Sequence, residues 1–447
     1  MLKKIFLIFI VFIFLFLINS SVTLASGKGF WSTQGNKIVD QNGKEVIIRG
    51  VNWGLEVYSE KNGFNLYGTN KNYHEGNPGP TYKEILNRIK NFGFNTIRFT
   101  YSNDHLKPDC VYKDGDGKNP ELNKLTCLEV IDKAIEYAGV LGLRIILDRH
   151  RTSLGLSGEN ALWYTSEVSE GKMIDDWKML AKRYKNNPNI IGADLANEPN
   201  YHRSCWGCGN PSVDWRSAAE RIGNAILSVN PNWLIFVEGL VGEELVDAGN
   251  YPVRLSRGNK LVYSVHIYPG VTHGLTTPEE WITVWDQKFG YLVKNNIAPV
   301  LVGEYAPDYA MSDSSKEKWL GSFVNYLKEK NISATYWSWR FETSGNYVAN
   351  LIKQDYLNVN SNRWISYVKG INFPLENNSV STPTVTPTNS NTKKGDANGD
   401  GQVDGLDYVV WLNHYSQNTN KGAGEGDFNG DGQVDGLDYV IWVNNAL

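Results

Sequence analysis

From about Lys28 to Pro374 short apolar runs alternate with stretches whose apolar positions recur every three or four residues. The runs read as buried strands and the periodic stretches as amphipathic helices. Val46–Trp53 precedes a helix predicted over Tyr82–Phe92, Asn95–Tyr101 one over Leu128–Leu141, and Leu143–His150 one over Met173–Tyr184. Ile190–Pro199 precedes Trp215–Val229, and Leu234–Gly239 follows. Leu261–Tyr268 precedes Glu279–Asn295, Ala298–Ala306 precedes Glu317–Lys330, and Ser333–Trp339 closes the series. Eight strands, most followed by a helix, predict an α/β fold of the (β/α)8 barrel class. An open doubly wound sheet is the alternative, but no glycine-rich phosphate loop follows the first strand.

The pattern breaks at both ends. Lys3 and Lys4 precede an apolar run from Ile5 to Ile18, and small residues follow through Ala25 and Ser26. That reads as a secretory signal over residues 1–26, with the barrel at 27–376 and no stable membrane insertion after cleavage. Residues 377–394 are rich in Ser, Thr, Pro and Asn, which predicts an extended linker. Residues 395–447 form a third segment, in which Gly395–Val409 recurs almost unchanged as Gly426–Val440.

Composition changes the picture little. The 447 residues carry a net charge of −4, which gives no basis for nucleic-acid binding. Four Cys in an exported chain permit disulfides, and the local pairs Cys110–Cys127 and Cys205–Cys208 are the expected ones. Zinc at Cys205 and Cys208 is the rival, without a second ligand pair at matching spacing.

The chemistry lies at the strand ends, because polar residues at the C-terminal ends of barrel strands converge on one face. Those ends supply Arg98, His150, Asn197 with Glu198, His266 with Tyr268, Glu304 and Trp337. Glu198 and Glu304 are the pair that glycosidic hydrolysis needs, a proton donor and a nucleophile. Glu238 ends the fifth strand and reads as a structural or subsite carboxylate. Trp53, Trp163, Trp206 and Trp339 are candidate sugar-stacking residues.

This set resembles glycoside hydrolase family 5 over roughly residues 28–375. The stretches Leu143–Arg151, Ala161–Ser166, Cys205–Gly209, Trp215–Arg221 and Tyr336–Trp339 look like the endo-β-1,4-glucanases of its subfamily 1. The chain departs from that pattern at His266-Ile267-Tyr268 and Arg340-Phe341-Glu342. The resemblance implies a monomeric, cofactor-free catalytic domain that hydrolyses β-glucan with retention. Glu304 would be the nucleophile, held ionised by Arg98 and Tyr268. Glu198 would be the acid/base that keeps its proton. Asn197 would bind the sugar 2-hydroxyl, His150 and His266 would contact sugar or orient the carboxylates, and Trp337 would form the platform. A mannanase, xyloglucanase or mixed-linkage glucanase is the alternative within the class, and a non-catalytic glycan-binding protein the alternative outside it.

In the repeats, Asp396, Asn398, Asp400, Gln402, Asp404 and Asp407 fall at loop positions 1, 3, 5, 7, 9 and 12, with Gly401 at position 6. Asp427, Asn429, Asp431, Gln433, Asp435 and Asp438 repeat the spacing around Gly432. Alternating oxygen donors with a glycine at the turn is the EF-hand pattern, so about two Ca²⁺ are expected. The segment resembles a type I dockerin, which implies docking on a cohesin-bearing scaffold. Positions 10 and 11 are Gly-Leu in both repeats, a departure from the usual partner-reading pairs.

Overall fold

The computed structural model describes residues 27–58, 65–69, 79–114, 117–155, 161–200, 202–240, 244–272, 274–341, 349–371, 393–399, 401, 403, 405–415 and 417–445. The stretch over 1–26 expected to be a signal, nearly all of the expected linker, and Asp400, Gln402 and Asp404 lie outside the described residues. The chain divides into two compact units, Met1–Glu376 and Asn377–Leu447. Among the described residues no helix is long and apolar enough to cross a membrane.

The first unit opens with a hairpin, β1 (Ser32–Gln34) and β2 (Lys37–Val39). Eight parallel strands then close into a barrel: β3 (Arg49–Asn52), β4 (Thr96–Ser102), β5 (Arg144–Arg151), β6 (Ile190–Asp194), β7 (Leu234–Glu238), β8 (Leu261–Ile267), β9 (Val300–Tyr305) and β10 (Ser333–Tyr336), with β10 pairing β3. Outside it run α1 (Tyr82–Asn91), α2 (Cys127–Val140), α3 (Glu170–Arg183), α4 (Trp215–Val229), α5 (Pro278–Trp285), α6 (Tyr291–Lys294), α7 (Asp313–Glu329) and the short α8 (Ile365–Gly370). The helices start where the sequence provides caps. Thr81 with Glu84, Thr126 with Glu129 and Thr277 with Glu280 form reciprocal capping boxes, each cap being worth about 1 kcal/mol. Helix α1 buries Tyr82, Ile85, Leu86 and Ile89, the spacing of a single helical face.

One expected helix is interrupted. The stretch predicted over Glu279–Asn295 becomes α5, a π turn over Asp286–Gly290, and α6. The Tyr326 hydroxyl donates to Asp286 Oδ1 at 2.8 Å. A Cβ on Gly290 would stand 1.9 Å from that hydroxyl. The widened turn with a glycine admits Tyr326, a cause that hydrophobic spacing does not record.

Alternation along the strands sorts the barrel interior into two layers. Ile146, Asp148 and His150 share one face of β5, Leu234, Phe236 and Glu238 one face of β7, and Val262, Ser264 and His266 one face of β8. The lower positions join Trp31, Ile38, Val46 and Ile48 in one buried cluster, so the unpredicted hairpin lies against the lower end. Buried cations tie the surrounding chain to that end through carbonyls. Arg49 donates to Ile48, Ile332 and Ile371, and Lys260 to Trp31 and Asn232. The upper positions of the same faces are polar, and they build the site.

Candidate active site

Arg98 lies at the centre of the upper layer and is fully buried. Its guanidinium meets Asp194 at 2.8 Å, Asp148 and Glu238 at 2.9 Å, and Glu304 at 3.0 Å. It also donates to Asn52 Oδ1 at 2.9 Å and to Asn197 Oδ1 at 3.1 Å. Breaking one buried ion pair costs about 3–5 kcal/mol, because the partner charge is stranded. A cation held on so many sides fixes the positions of its neighbours. Asn197 is oriented by it, with the amide NH2 left as the donor end.

Glu304 lies one residue before the end of β9, with a side chain only 5 % exposed. Its Oε1 faces Arg98, and its Oε2 accepts from the Tyr268 hydroxyl at 2.6 Å. Glu198 follows β6 with a side chain 36 % exposed. Its backbone has φ +49°, a left-handed conformation rare outside glycine. The N–H of that strained residue donates to Glu238 Oε2 at 2.8 Å, which holds the turn. Glu238 is itself fully buried and paired to Arg98, in keeping with a structural carboxylate.

His266 stands between the two glutamates. Its Nδ1 lies 2.7 Å from Glu198 Oε1 and 3.5 Å from Glu304 Oε2, and its Nε2 lies 3.2 Å from Glu238 Oε1. One carboxylate oxygen from each of Glu198 and Glu304 and one His266 nitrogen all lie within 4.8 Å of one another.

The charges decide where protons reside. Burial disfavours the His266 cation, but the Glu238 and Glu304 charges and the hydrogen bond to Glu198 outweigh it, so His266 is held well above its ordinary range. Burial pushes Glu304 up to about 7 against the opposing pull of His266 and Arg98. Burial also raises Glu198, but the His266 hydrogen bond and charge reverse this and leave it below the usual carboxylate range. This differs from the expectation that Glu198 alone holds the proton. With His266 raised and Glu198 lowered, the 2.7 Å bond joins a His266 cation to a Glu198 carboxylate, and the shared proton lies between them.

His150 is buried and neutral. Burial, with Arg151 and Arg98 nearby, holds it well below its ordinary range. Its Nδ1 lies 2.8 Å from Asp148 Oδ2 and its Nε2 lies 2.7 Å from the Tyr58 hydroxyl. Its ring stacks on Trp337 with centroids 5.0 Å apart and planes 8° from parallel.

Three candidate stacking residues prove to be core. Trp53 is 1 % exposed, packs edge-on to Phe99, and its indole N–H donates to the Tyr67 carbonyl. Trp163 and Trp339 are 1 % and 0 % exposed, with indoles bonded to Glu170 and the Tyr356 carbonyl. All three lie on loops beyond the strands, and their rings fold back into the packing around the barrel. Trp206 is half-buried on the loop after β6, its N–H bonded to the Tyr251 carbonyl. Cys205 and Cys208 close that loop and Cys110 joins Cys127 at the start of α2, both as expected.

Asp148, Asp194 and Tyr58 belong to the site and were not singled out from sequence. Asp148 had a usable signal, since it lies two residues before His150 on a strand and therefore on the same face.

In the second unit, α9 (Gly405–His414) and α10 (Gly436–Asn445) each follow an acidic loop. Asp396, Asp407, Asp427 and Asp438 are 2, 0, 4 and 0 % exposed. Asp396 accepts from the Gly399 and Gly401 amides, and Asp427 from those of Gly430, Asp431 and Gly432. Asp438 bridges its loop, Oδ1 accepting from Asn429 N–H and Oδ2 from Asp435 N–H. Gly401 and Gly432 have φ +86° and +82°, as the sharp turn requires. Four inward carboxylates on such loops form a donor set that fits a hard divalent cation such as Ca²⁺.

Comparison with known proteins agrees with this geometry. Residues 39–343 match the family described as Cellulase (glycosyl hydrolase family 5), and residues 394–447 match the type I dockerin domain. The chain is 44 % identical over 340 residues to an endoglucanase of Paenibacillus polymyxa, covering 71 % of this chain and 81 % of the relative. It is 30 % identical over 368 residues to the major extracellular endoglucanase of Xanthomonas campestris pv. campestris, covering 77 % and 72 %. A hyperthermophilic endocellulase from Pyrococcus horikoshii superposes with a TM-score of 0.67 at 30 % identity, covering 78 % of this chain and 99 % of that one. With the barrel, the paired glutamates and these matches together, the chain belongs to glycosyl hydrolase family 5 and carries a type I dockerin domain at its C-terminal end.

Proposed function

We propose that the protein is an exported endo-β-1,4-glucanase that acts with retention and docks through its C-terminal unit on a cohesin-bearing scaffold. The observation that carries the reaction is the close approach of Glu198 and Glu304, with carboxylate oxygens within 4.8 Å. Retaining glycosidases keep their carboxyls about 5–5.5 Å apart, whereas inverting ones leave room for a water. The names of the relatives support the glucan substrate, and the apolar run at residues 5–18 supports export.

Glu304 attacks the anomeric carbon and its carboxylate forms a glycosyl ester. The glycosidic C–O bond breaks as the proton of the Glu198–His266 pair passes to the departing oxygen. Glu198 then takes a proton from water, whose oxygen attacks the same carbon and frees Glu304. Arg98 and Tyr268 stabilise the Glu304 carboxylate as it is released. Asn197 is placed to bind the 2-hydroxyl and Trp337 to lie under the reacting sugar.

Release of new reducing ends from carboxymethyl cellulose tests the activity. Faster hydrolysis of mannan or xyloglucan would replace the assignment, and a β-configured first product, read by proton NMR, would support retention.

The acid limb of kcat/KM follows from Glu304. The nucleophile must be ionised and burial places it at about 7, so activity falls as pH drops through that value. Tyr268 donates a hydrogen bond that favours the ionised form. Tyr268→Phe is expected to move the limb to higher pH. An unmoved limb would mean that another group sets it.

A further inference from the structure

Tyr58 takes no part in the mechanism above, yet its surroundings are built around it. Its hydroxyl lies 2.7 Å from His150 Nε2. The guanidiniums of Arg151 and Arg340 lie 4.8 and 4.7 Å from its ring centroid, and Arg340 also lies 5.0 Å from the Tyr67 ring. Cations over ring faces at these distances hold an aromatic plane in place. The ring meets Trp337 edge-on at 6.5 Å and His150 at 5.6 Å.

The hydrogen-bond inventory of His150 then matters. Nδ1 faces the Asp148 carboxylate at 2.8 Å and must donate. Nε2 of the neutral ring is therefore an acceptor, and the Tyr58 O–H supplies its proton. Both nitrogens are engaged, so His150 keeps no ready group for a sugar. The Tyr58 oxygen, having donated its proton, retains lone pairs beside the Trp337 platform.

We infer that Tyr58 is a substrate-positioning residue whose oxygen accepts a hydrogen bond from one hydroxyl of the glucose over Trp337, with His150 fixing the direction of that oxygen. This rests on the glucanase reading and adds a residue to it. Arg340 lies over both the Tyr58 and Tyr67 rings and so fixes the placement.

The test compares wild type and Tyr58→Phe on 4-nitrophenyl β-cellobioside and on analogues that each lack one hydroxyl of the reacting glucose. The lost hydroxyl changes intrinsic reactivity equally for both enzymes, so the comparison isolates the contact. Tyr58→Phe should lose about tenfold in kcat/KM on the full substrate and almost nothing on the one analogue lacking the contacted hydroxyl. An equal loss on every analogue would assign Tyr58 to support of His150 alone and overturn the inference. Unchanged kcat/KM on the full substrate would overturn it too. A binding measurement without turnover guards against misfolding. Cellotetraose should bind Glu304→Gln about tenfold more tightly than Glu304→Gln/Tyr58→Phe, and equal affinity would count against the contact. A wild type that released no reducing ends from carboxymethyl cellulose would instead overturn the glucanase reading on which this depends.

Discussion

Glu304→Gln is expected to lower kcat/KM by about 10^5-fold or more, the scale on which loss of a covalent nucleophile acts. The amide keeps the size of the carboxyl and can still meet Arg98 and Tyr268, but it cannot form the glycosyl ester. Stability should not follow activity. The folded state raises the Glu304 pKa to about 7, above its ordinary value, so the native protein loses stability as pH rises through that interval. Gln removes this pH-dependent loss but also the buried charge facing Arg98 and His266, so the two effects oppose and the variant's Tm near pH 8 should stay close to that of wild type. Glu198→Ala should behave differently. A nitrophenolate leaving group needs no proton, so the glycosyl-enzyme still forms and accumulates. Azide can then attack it, restoring turnover and giving the β-glycosyl azide. On polysaccharide the same variant should lose about 10²–10⁴-fold, the range for general acid catalysis. Rescue of Glu304→Ala, with none for Glu198→Ala, would reverse the two roles.

The roles are asymmetric because the two carboxyls sit in different surroundings, and sequence shows only part of that. Strand ends are legible because alternation and run length place Glu198 and Glu304 at the C-terminal rim of a parallel barrel. The closed eight-strand order and most helix positions follow from the same pattern. Proton placement is not legible. It depends on His266 Nδ1 lying nearer Glu198 than Glu304, at 2.7 against 3.5 Å, which is a matter of side-chain direction. Trp53 misleads for a related reason. It lies just beyond β3, yet its N–H is taken by the Tyr67 carbonyl inside the wall. A strand-end position does not say whether a large ring points to the cleft or into the packing. Tyr58 was invisible because it lies on a loop, where no periodicity assigns a face. Its importance comes from Arg340, far away in sequence, which lies over its ring.

Calcium is expected to decide whether the C-terminal unit folds. Its described core is Trp411, Phe428 and Val434, with Tyr408, Ile441 and Trp442 packed against it. That is little apolar area for a domain of this size to offset chain entropy. Asp396 and Asp407 turn inward in one loop, and Asp427 and Asp438 in the other, all nearly buried. Without a cation, each loop must bring together charges that repel, and amide hydrogen bonds meet only part of the desolvation cost. With Ca²⁺ the same carboxylates become ligands, and binding free energy becomes folding free energy. Residues 395–447 prepared alone should therefore gain helix by circular dichroism on adding Ca²⁺ and lose it with EDTA. Titration calorimetry should count about two ions per chain, one per loop. Asp438→Asn should remove one ion and leave the other, since Asp438 closes only the second loop. In the full-length protein EDTA should abolish retention on an immobilised cohesin while leaving hydrolysis of carboxymethyl cellulose intact. The two losses separate because the catalytic groups bring their own cations, Arg98 and His266, within the barrel. Equal helicity of the isolated unit with and without EDTA would show that packing alone suffices and would remove the metal from the folding argument.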